Sequence, residues 1–334
     1  MNLPGMIRTV RWMVWDTFRQ SLASKLFWGM LAITLIATLF CLSIEVHGDM
    51  ARPTLDYDTG AFLPKGEPKK IGEAKVKADG IPVVSGEVSL GFGLVTLPLA
   101  RHREDAVRYV QLLLAGGIAD TLGVLLALLW TAGFLPTFLE PQAATVLLAK
   151  PAPRWTLLFG KYLGVVLFVA LQATLFVGGT WFALGLKTGV WNLHYWLAVP
   201  LLALNFAVFY AVSVFLAVAT RSTIASLFGT LMVWLLCWAI NFTYLKLATA
   251  PEEALGKAGT TSIKAAYWVL PKPLDLGALF YDAVQADKFS LKLPELEQAQ
   301  ARGLISVETS VATSMLFAMI VLLLAAYEFK ETDY

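Results

Sequence analysis

Six runs of apolar residues, each about as long as a bilayer core is thick, constrain this chain more than any motif it carries. They fall at residues 26–44, 109–135, 155–186, 194–219, 223–247 and 309–327. Roughly 20 helical residues at 1.5 Å each cross a hydrocarbon core of about 30 Å. Lipid offers no water to exposed N–H and C=O groups, so each run is predicted to be a helix that satisfies its own backbone. With 57% hydrophobic residues, 15% charged ones and a mean hydropathy of +0.66, the chain is excluded from the ordinary soluble domains. No internal repeat or low-complexity tract is seen. The expected fold class is an all-α polytopic membrane protein with six transmembrane helices, an N-terminal interfacial amphipathic helix and a small β-containing first outer loop.

Basic residues in the short segments set the orientation. The N-terminal segment has Arg8, Arg11, Arg19 and Lys25 against Asp16 alone. The linker after the second run has Lys150 and Arg154, with Lys161 close behind, and the turn Thr220-Arg221-Ser222 adds another. The short connection after the third run offers only Lys187. Both termini are therefore expected in the cytoplasm, with the chain in the plasma (inner) membrane and the two long loops outside. Ahead of the first run, Ile7, Val10, Met13, Val14, Phe18 and Leu22 recur at helical spacing with arginines on other faces. That pattern suits a helix on the membrane surface, with lipid as its partner. The first run is longer than a signal-peptide core, and Ser43-Ile44-Glu45-Val46-His47 has no small-x-small cleavage site, so it is read as a retained anchor.

The organisation that follows has an interfacial helix at residues 1–25, a first transmembrane helix at 26–45 and an outer loop domain at 46–108. Transmembrane helices two to five occupy 109–247, with a distinctive linker at 140–154. A second outer loop spans 248–308, and 309–334 holds the sixth helix and a short cytoplasmic tail. In the first loop, residues 83–99 interleave β-branched and apolar residues with Gly and Ser, which predicts a short hairpin or small sheet. From Glu104 a helix is expected to run into the second span. The second loop reads as short helices broken at Pro271 and Pro273. Both loops suit either a lid over a pathway or plain structural caps.

Buried polar residues are the usual pointers to a pathway in a membrane protein. Asp120 is the one acid deep within a run, flanked by Gly116, Gly117 and Gly123. It can bind a cation, carry a proton or bond to another helix. Gln172, Asn205 and Asn241 complete the candidate set; each also serves as a link between helices. Cys41 and Cys237 lie inside predicted spans and imply no disulfide. His47, His102 and His194, even with Met50, show no helical pairing and no completing carboxylate or thiolate, so no metal site is expected. A P-loop, a G-x-S-x-G elbow and an H-E-x-x-H helix are all missing. No catalytic residue, no cofactor in this chain and no nucleic-acid partner are expected.

The linker itself reads EPQAATVLLAKPAPRWTLLFGK from Glu140 to Lys161. A leucine-rich turn, a Lys-Pro-Ala-Pro-Arg break and a fresh helix start are more than a joint requires. Proline locks φ and disfavours helix at the residue before it, so Pro151 and Pro153 set how the chain returns to the membrane. Glu140, Thr145, Leu147-Leu148-Ala149-Lys150-Pro151-Ala152-Pro153-Arg154 and Gly160-Lys161 closely resemble the cytoplasmic connection of type-2 ATP-binding-cassette (ABC) transporter permeases. The permeases linked to multicopper-enzyme maturation are the nearest subset. The chain departs from that pattern at Ala144, where Gly is usual, and at Pro141.

The resemblance implies a permease subunit, of exporter type, whose Glu140, Thr145, Leu148, Lys150, Pro151, Pro153, Arg154 and Lys161 couple it to a separate ABC ATPase subunit. ATP and Mg belong on that partner, and a second permease copy or paralogue completes a dimer. A membrane-embedded enzyme acting on lipid or peptide, and a non-transporting anchor or assembly factor, are the alternatives.

Overall fold

The computed structural model describes residues 3–47, 53–55, 62–64, 86–99, 103–138, 153–249, 256–285 and 306–331, and the contacts below are among these. Six helices long and apolar enough to cross a membrane coincide with the six apolar runs: Lys25–Leu42, Arg103–Phe138, Arg154–Thr188, Leu193–Thr220, Thr223–Leu247 and Glu308–Glu331. Helix α1 (Leu3–Ala23) precedes the first span, α2 (Lys25–Leu42). The second span is compound: α3 (Arg103–Leu112), a π-helical segment (Leu113–Gly123), α4 (Val124–Thr131) and α5 (Phe134–Phe138). The third is α6 (Arg154–Thr188), and a 3-10 turn (Leu193–Leu197) leads into the fourth, α7 (Ala198–Thr220). The fifth is α8 (Thr223–Thr249). Two short helices, α9 (Gly256–Val269) and α10 (Pro273–Ala283), come before the sixth, α11 (Val307–Glu331).

The fourth span is the centre of the bundle, with 67% of its apolar window buried against 17% for the first and fifth. Apolar residues such as Ile36 and Met232 are exposed on those outer helices, where lipid chains as apolar as they are make exposure tolerable. An aromatic cluster ties the helices together near α1. Phe168 of α6 meets Phe18, Phe27 and Trp130 edge-on at 5.0, 5.2 and 5.2 Å, and Trp130 meets Phe134 at 5.6 Å. Edge-to-face rings at these separations attract beyond their buried area. The Trp130 indole N–H donates to Ser24 Oγ at 3.0 Å, so its polar edge is satisfied too.

The first span ends at Leu42, two residues before its apolar run does, and Ser43 supplies the reason. Its hydroxyl donates back to the Phe40 carbonyl at 2.7 Å and accepts from Gly91 N at 3.2 Å, while its carbonyl accepts from Phe92 N. Helix end and hairpin tip are thereby pinned together. The expected hairpin is β4 (Gly86–Leu90) and β5 (Val95–Leu99), whose turn holds Gly91, Phe92 and Gly93 at positive φ. Strand β1 (Glu45–His47), directly after the first span, adds to β4 with Val46 opposite Val88, which makes the antiparallel order β1-β4-β5. A separate pair joins β2 (Pro53–Leu55) to β3 (Phe62–Pro64).

Helix α1 corrects the reading of its own apolar stripe. Met13, Thr17 and Ser21 form the fully buried line, while Ile7, Trp15 and Leu22 face away from the bundle on the same side as Arg8, Arg11 and Arg19. The cause lies in α6, where Gly160 and Gly164 stand one turn apart under that line. A Cβ at Gly160 would lie 2.9 Å from Met13 Cβ, and one at Gly164 would lie 2.8 Å from Thr17 Oγ1. Small residues on both helices let the backbones approach closely, which outweighs hydrophobicity as the choice of packing face.

Gly164→Leu should therefore lever α1 off α6. An overpacked contact costs about 1–3 kcal/mol, so a lowered melting temperature of the detergent-purified protein is expected. Gly29→Leu is the control, because nothing lies within 4 Å of a Cβ there. Equal melting of the two variants would show that the close approach carries no stability.

Candidate functional site

Polar side chains inside the bundle fall at three levels, and each level joins different helices. At the end that carries α1, Lys161 is almost wholly buried and donates to Gln20 Oε1, with Asp16 Oδ2 3.8 Å away and the Phe138 ring 5.8 Å from its ammonium. Lys161, one of the residues the resemblance implies for coupling, is here bonded to α1 rather than presented at the surface. Its glycine neighbour Gly160 serves the same contact. Pro153 caps α6 with φ −59°, its carbonyl accepting from Thr156 N at 3.0 Å, and Arg154 donates to the Lys330 carbonyl at 3.3 Å. The start of the third span is thus tied to the end of the sixth. Glu140, Thr145, Leu148, Lys150 and Pro151 lie outside the described residues.

At mid-span, Asp120 Oδ1 accepts from Asn205 Nδ2 at 2.7 Å, an interhelical bond between the second and fourth spans. Both residues are buried. Asp120 sits within the π-helical segment, a rare form of helix, together with Gly116, Gly117 and Gly123. Widening the backbone there also receives α10, whose Phe280 packs so close that a Cβ at Gly116 would meet it at 3.2 Å. Of the roles open to Asp120, the geometry supplies the link between helices. Gln172 makes a second link, donating to Thr34 Oγ1 at 2.9 Å between the third and first spans.

At the far end, Asn241 belongs to a cluster with no counterpart in the sequence reading. Asp275, near the start of α10, accepts from the Tyr267 hydroxyl at 2.5 Å, the Ser310 hydroxyl at 2.6 Å and, more weakly, Asn241 Nδ2 at 3.5 Å. Asn241 Oδ1 in turn accepts from Leu274 N at 3.0 Å. Lys272 donates from its ammonium to Thr313 and lies 4.7 and 5.1 Å from the Tyr267 and Trp268 ring centres. This clasp fastens α9 and α10 to the fifth and sixth spans. Burial pushes the Asp275 carboxyl above its ordinary range and the Lys272 ammonium below its own. The signal for it was legible only as composition: acid and base three apart, beside a proline, in a loop too long to interpret.

His194 is exposed, His102 and the His47 side chain lie outside the described residues, and no metal-holding group of His, Cys, Asp or Glu occurs among the described ones. Cys41 and Cys237 are both buried and unbridged.

A bundle of six spans with polar links at its core and loops clasped at one end defines a multi-pass membrane protein. The sequence pattern of the family described as ABC-2 family transporter protein matches residues 11–334, and the chain belongs to that family. It is thus the permease component of an ABC transporter. The family's role is membrane transport in partnership with an ABC ATPase subunit. No curated protein matches the chain.

The clasp can be tested by charge and by shape. Asp275→Ala strands the hydroxyls of Tyr267 and Ser310, at about 1–3 kcal/mol for a buried polar group left unpaired. Asp275→Asn keeps an acceptor in place and should cost less than half as much. A raised carboxyl means that the folded state holds its proton more tightly than the unfolded chain does. Stability of the native protein should then fall as pH rises from roughly 4, the unfolded value, towards the raised folded value, and Asp275→Asn should flatten that slope. Denaturation of the purified protein across pH checks both outcomes.

Proposed function

We propose that this chain is the permease of an exporter in which ATP hydrolysis, with its Mg, takes place on a separate ABC ATPase subunit. The observation that carries the reading is the position of the linker at residues 140–154, between the second and third spans, in a chain whose family is ABC-2. Its pattern of Glu140, Thr145, Leu148, Lys150, Pro151, Pro153 and Arg154 is the coupling pattern of such permeases, with multicopper-enzyme maturation permeases the nearest subset. A short apolar helix before Lys150 would seat in a groove on the ATPase. The bond from Arg154 to the Lys330 carbonyl supports transmission, because movement of the linker would reach the third and sixth spans together. Closure of two ATPase subunits would rock a pair of permeases, identical or paralogous, and so alternate access to a pathway between them.

The orientation that goes with this reading places both termini and the linker in the cytoplasm of a cell bounded by the plasma membrane, and the strands, α9 and α10 outside. It is supported by the basic bias of the short segments. On this reading residues 46–108 and 248–308 are extracytoplasmic, and residues 1–25 lie on the inner membrane surface with Trp15 and Arg8 near the headgroups. The candidate pathway groups are Asp120, Gln172, Asn205 and Asn241.

Two measurements bear on the reading. Leu148→Asp puts a charge on the face expected to dock, and burying an unpaired charge costs more than the 1.4 kcal/mol that corresponds to about tenfold in affinity. ATPase co-purification should therefore fall at least that far while membrane insertion stays normal; undiminished co-purification would reduce the segment to a linker. Cysteine introduced at Thr59 should react with an impermeant thiol reagent applied to intact cells, and cysteine at Gln142 should not. The reverse pattern would invert the topology and remove the coupling argument.

A further inference from the structure

Helix α1 has a second face, which the fold leaves uncovered. Arg8, Arg11, Trp12, Trp15, Arg19 and Leu22 are all exposed. At 3.6 residues per turn they fall in one stripe roughly 100° wide, opposite the buried line of Met13, Thr17 and Ser21. The one acid of the helix, Asp16, lies to the side of the stripe, 3.8 Å from the Lys161 ammonium. The three guanidinium groups make no hydrogen bond or ion pair among the described residues.

What covers the stripe follows from the residues beside it. Trp155 and Phe159, in the first turns of α6, are exposed as well, and Phe159 adjoins Gly160, on which Met13 packs. Aromatic rings left uncovered on two neighbouring helices at one height suit the belt between hydrocarbon and headgroups. Beyond Leu22, exposed Leu26 and Trp28 carry the apolar surface on to the first span. Among the rings stand arginines, whose planar donors match the oxygens of a phosphate. With Lys25 they make four bases just ahead of a span, and clusters of that size attract anionic leaflets. No acid interrupts the stripe, so its complement is a surface of negative sign with apolar depth behind it.

We infer that the outward stripe of α1 binds anionic phospholipid headgroups of the inner leaflet, and that lipid held there braces the start of the third span. Arg8, Arg11 and Arg19 take the phosphates, while the Trp15 indole seats among the headgroups. On its other side α1 is fixed to α6 by Met13 and Thr17 on Gly160 and Gly164, by the bond from Lys161 to Gln20, and by Phe18 against Phe168 at 5.0 Å. Helix α6 begins at Arg154, directly after the linker. A lipid grip on α1 therefore reaches the element that would receive the motion of an ATPase. The inference rests on the permease reading and its orientation, and deepens them by naming the lipid class and what it controls.

The test uses the full chain in phosphatidylcholine nanodiscs that carry a trace of phosphatidylglycerol or phosphatidylcholine with a diazirine beside the headgroup. Labelling of the peptide Leu3–Ala23 reports contact. Phosphatidylglycerol should label it roughly tenfold more than phosphatidylcholine, since one basic residue at an anionic surface is worth about fivefold. The preference should shrink as salt is raised. Arg8→Gln, Arg11→Gln and Arg19→Gln together should bring the two probes level, and the three Lys replacements should keep most of the preference. Arg221→Gln, a base in the turn between the fourth and fifth spans, should leave it unchanged. Equal labelling of α1 by both probes in the native protein, or a preference that survives the Gln variant, overturns the site. Reconstituted with its ATPase, the native complex should lose most of its ATP hydrolysis when phosphatidylglycerol is left out; indifference to that lipid overturns the bracing role. Equal labelling in the native protein together with lost ATPase co-purification in the Gln variant gives the stripe to the ATPase instead. A chain that labels selectively but binds no ATPase loses the permease reading alone.

Discussion

Every backbone N–H and C=O in a bilayer core must find a partner within the protein, because lipid supplies none. That requirement makes the six apolar runs helices and leaves the structure few ways to depart from regularity. It departs from the α-helix at the 3-10 turn that opens the fourth span and, deeper, in the π-helical stretch Leu113–Gly123, where the wider turns are covered by protein. Asn205 of the fourth span lies against Asp120, and Phe280 of α10 lies against Gly116. Irregular backbone at membrane depth is tolerable when it is buried in this way. The π-helical segment and the helix that covers it therefore need each other.

With hydrophobicity unable to distinguish a neighbouring helix from a lipid chain, the packing of this bundle depends on small residues and on polar pairs. Gly160 and Gly164 decide where α1 lies, and the pairing of Lys161 with Gln20 and Asp16 fixes its register. Ser213 and Ser226 bond at 2.9 Å across the fourth and fifth spans, and Gln172 joins Thr34 across the third and first. The aromatic cluster around Phe168 fills the space these contacts define. Polar links of this kind are individually modest, but they have directions, so they choose one arrangement among many of similar apolar packing.

The two ends of the bundle are held together in different ways. At one, α1, the start of α6 and the end of α11 meet around Arg154 and Lys161, so a force on the linker before Arg154 would be shared among several helices. At the other, strands and short helices are locked down: Ser43 pins the hairpin, Lys187 pairs with Glu45 at 2.9 Å, Arg108 donates to the Gln285 carbonyl and Asp275 gathers three donors. The described strands and short helices are thereby fastened to the ends of the spans.

The amino-acid sequence by itself determined the number and extent of the spans, the helix ahead of them, the β4–β5 hairpin and the break between α9 and α10, because these depend on local periodicity, length and proline. The family, too, was legible, in the linker from Glu140 to Arg154. Only the tertiary structure decided which face of α1 is buried, since the answer lay in glycines some 150 residues away. It likewise decided that Lys161 turns inward to α1 and that Asp120 meets Asn205. It also showed that Asp275, unnoticed in a mixed-charge loop, is the acceptor at the centre of a clasp. Each of these depends on distance in space between residues far apart in the chain. A sequence shows that a polar group in a membrane needs a partner; which one it finds is settled by how the helices pack.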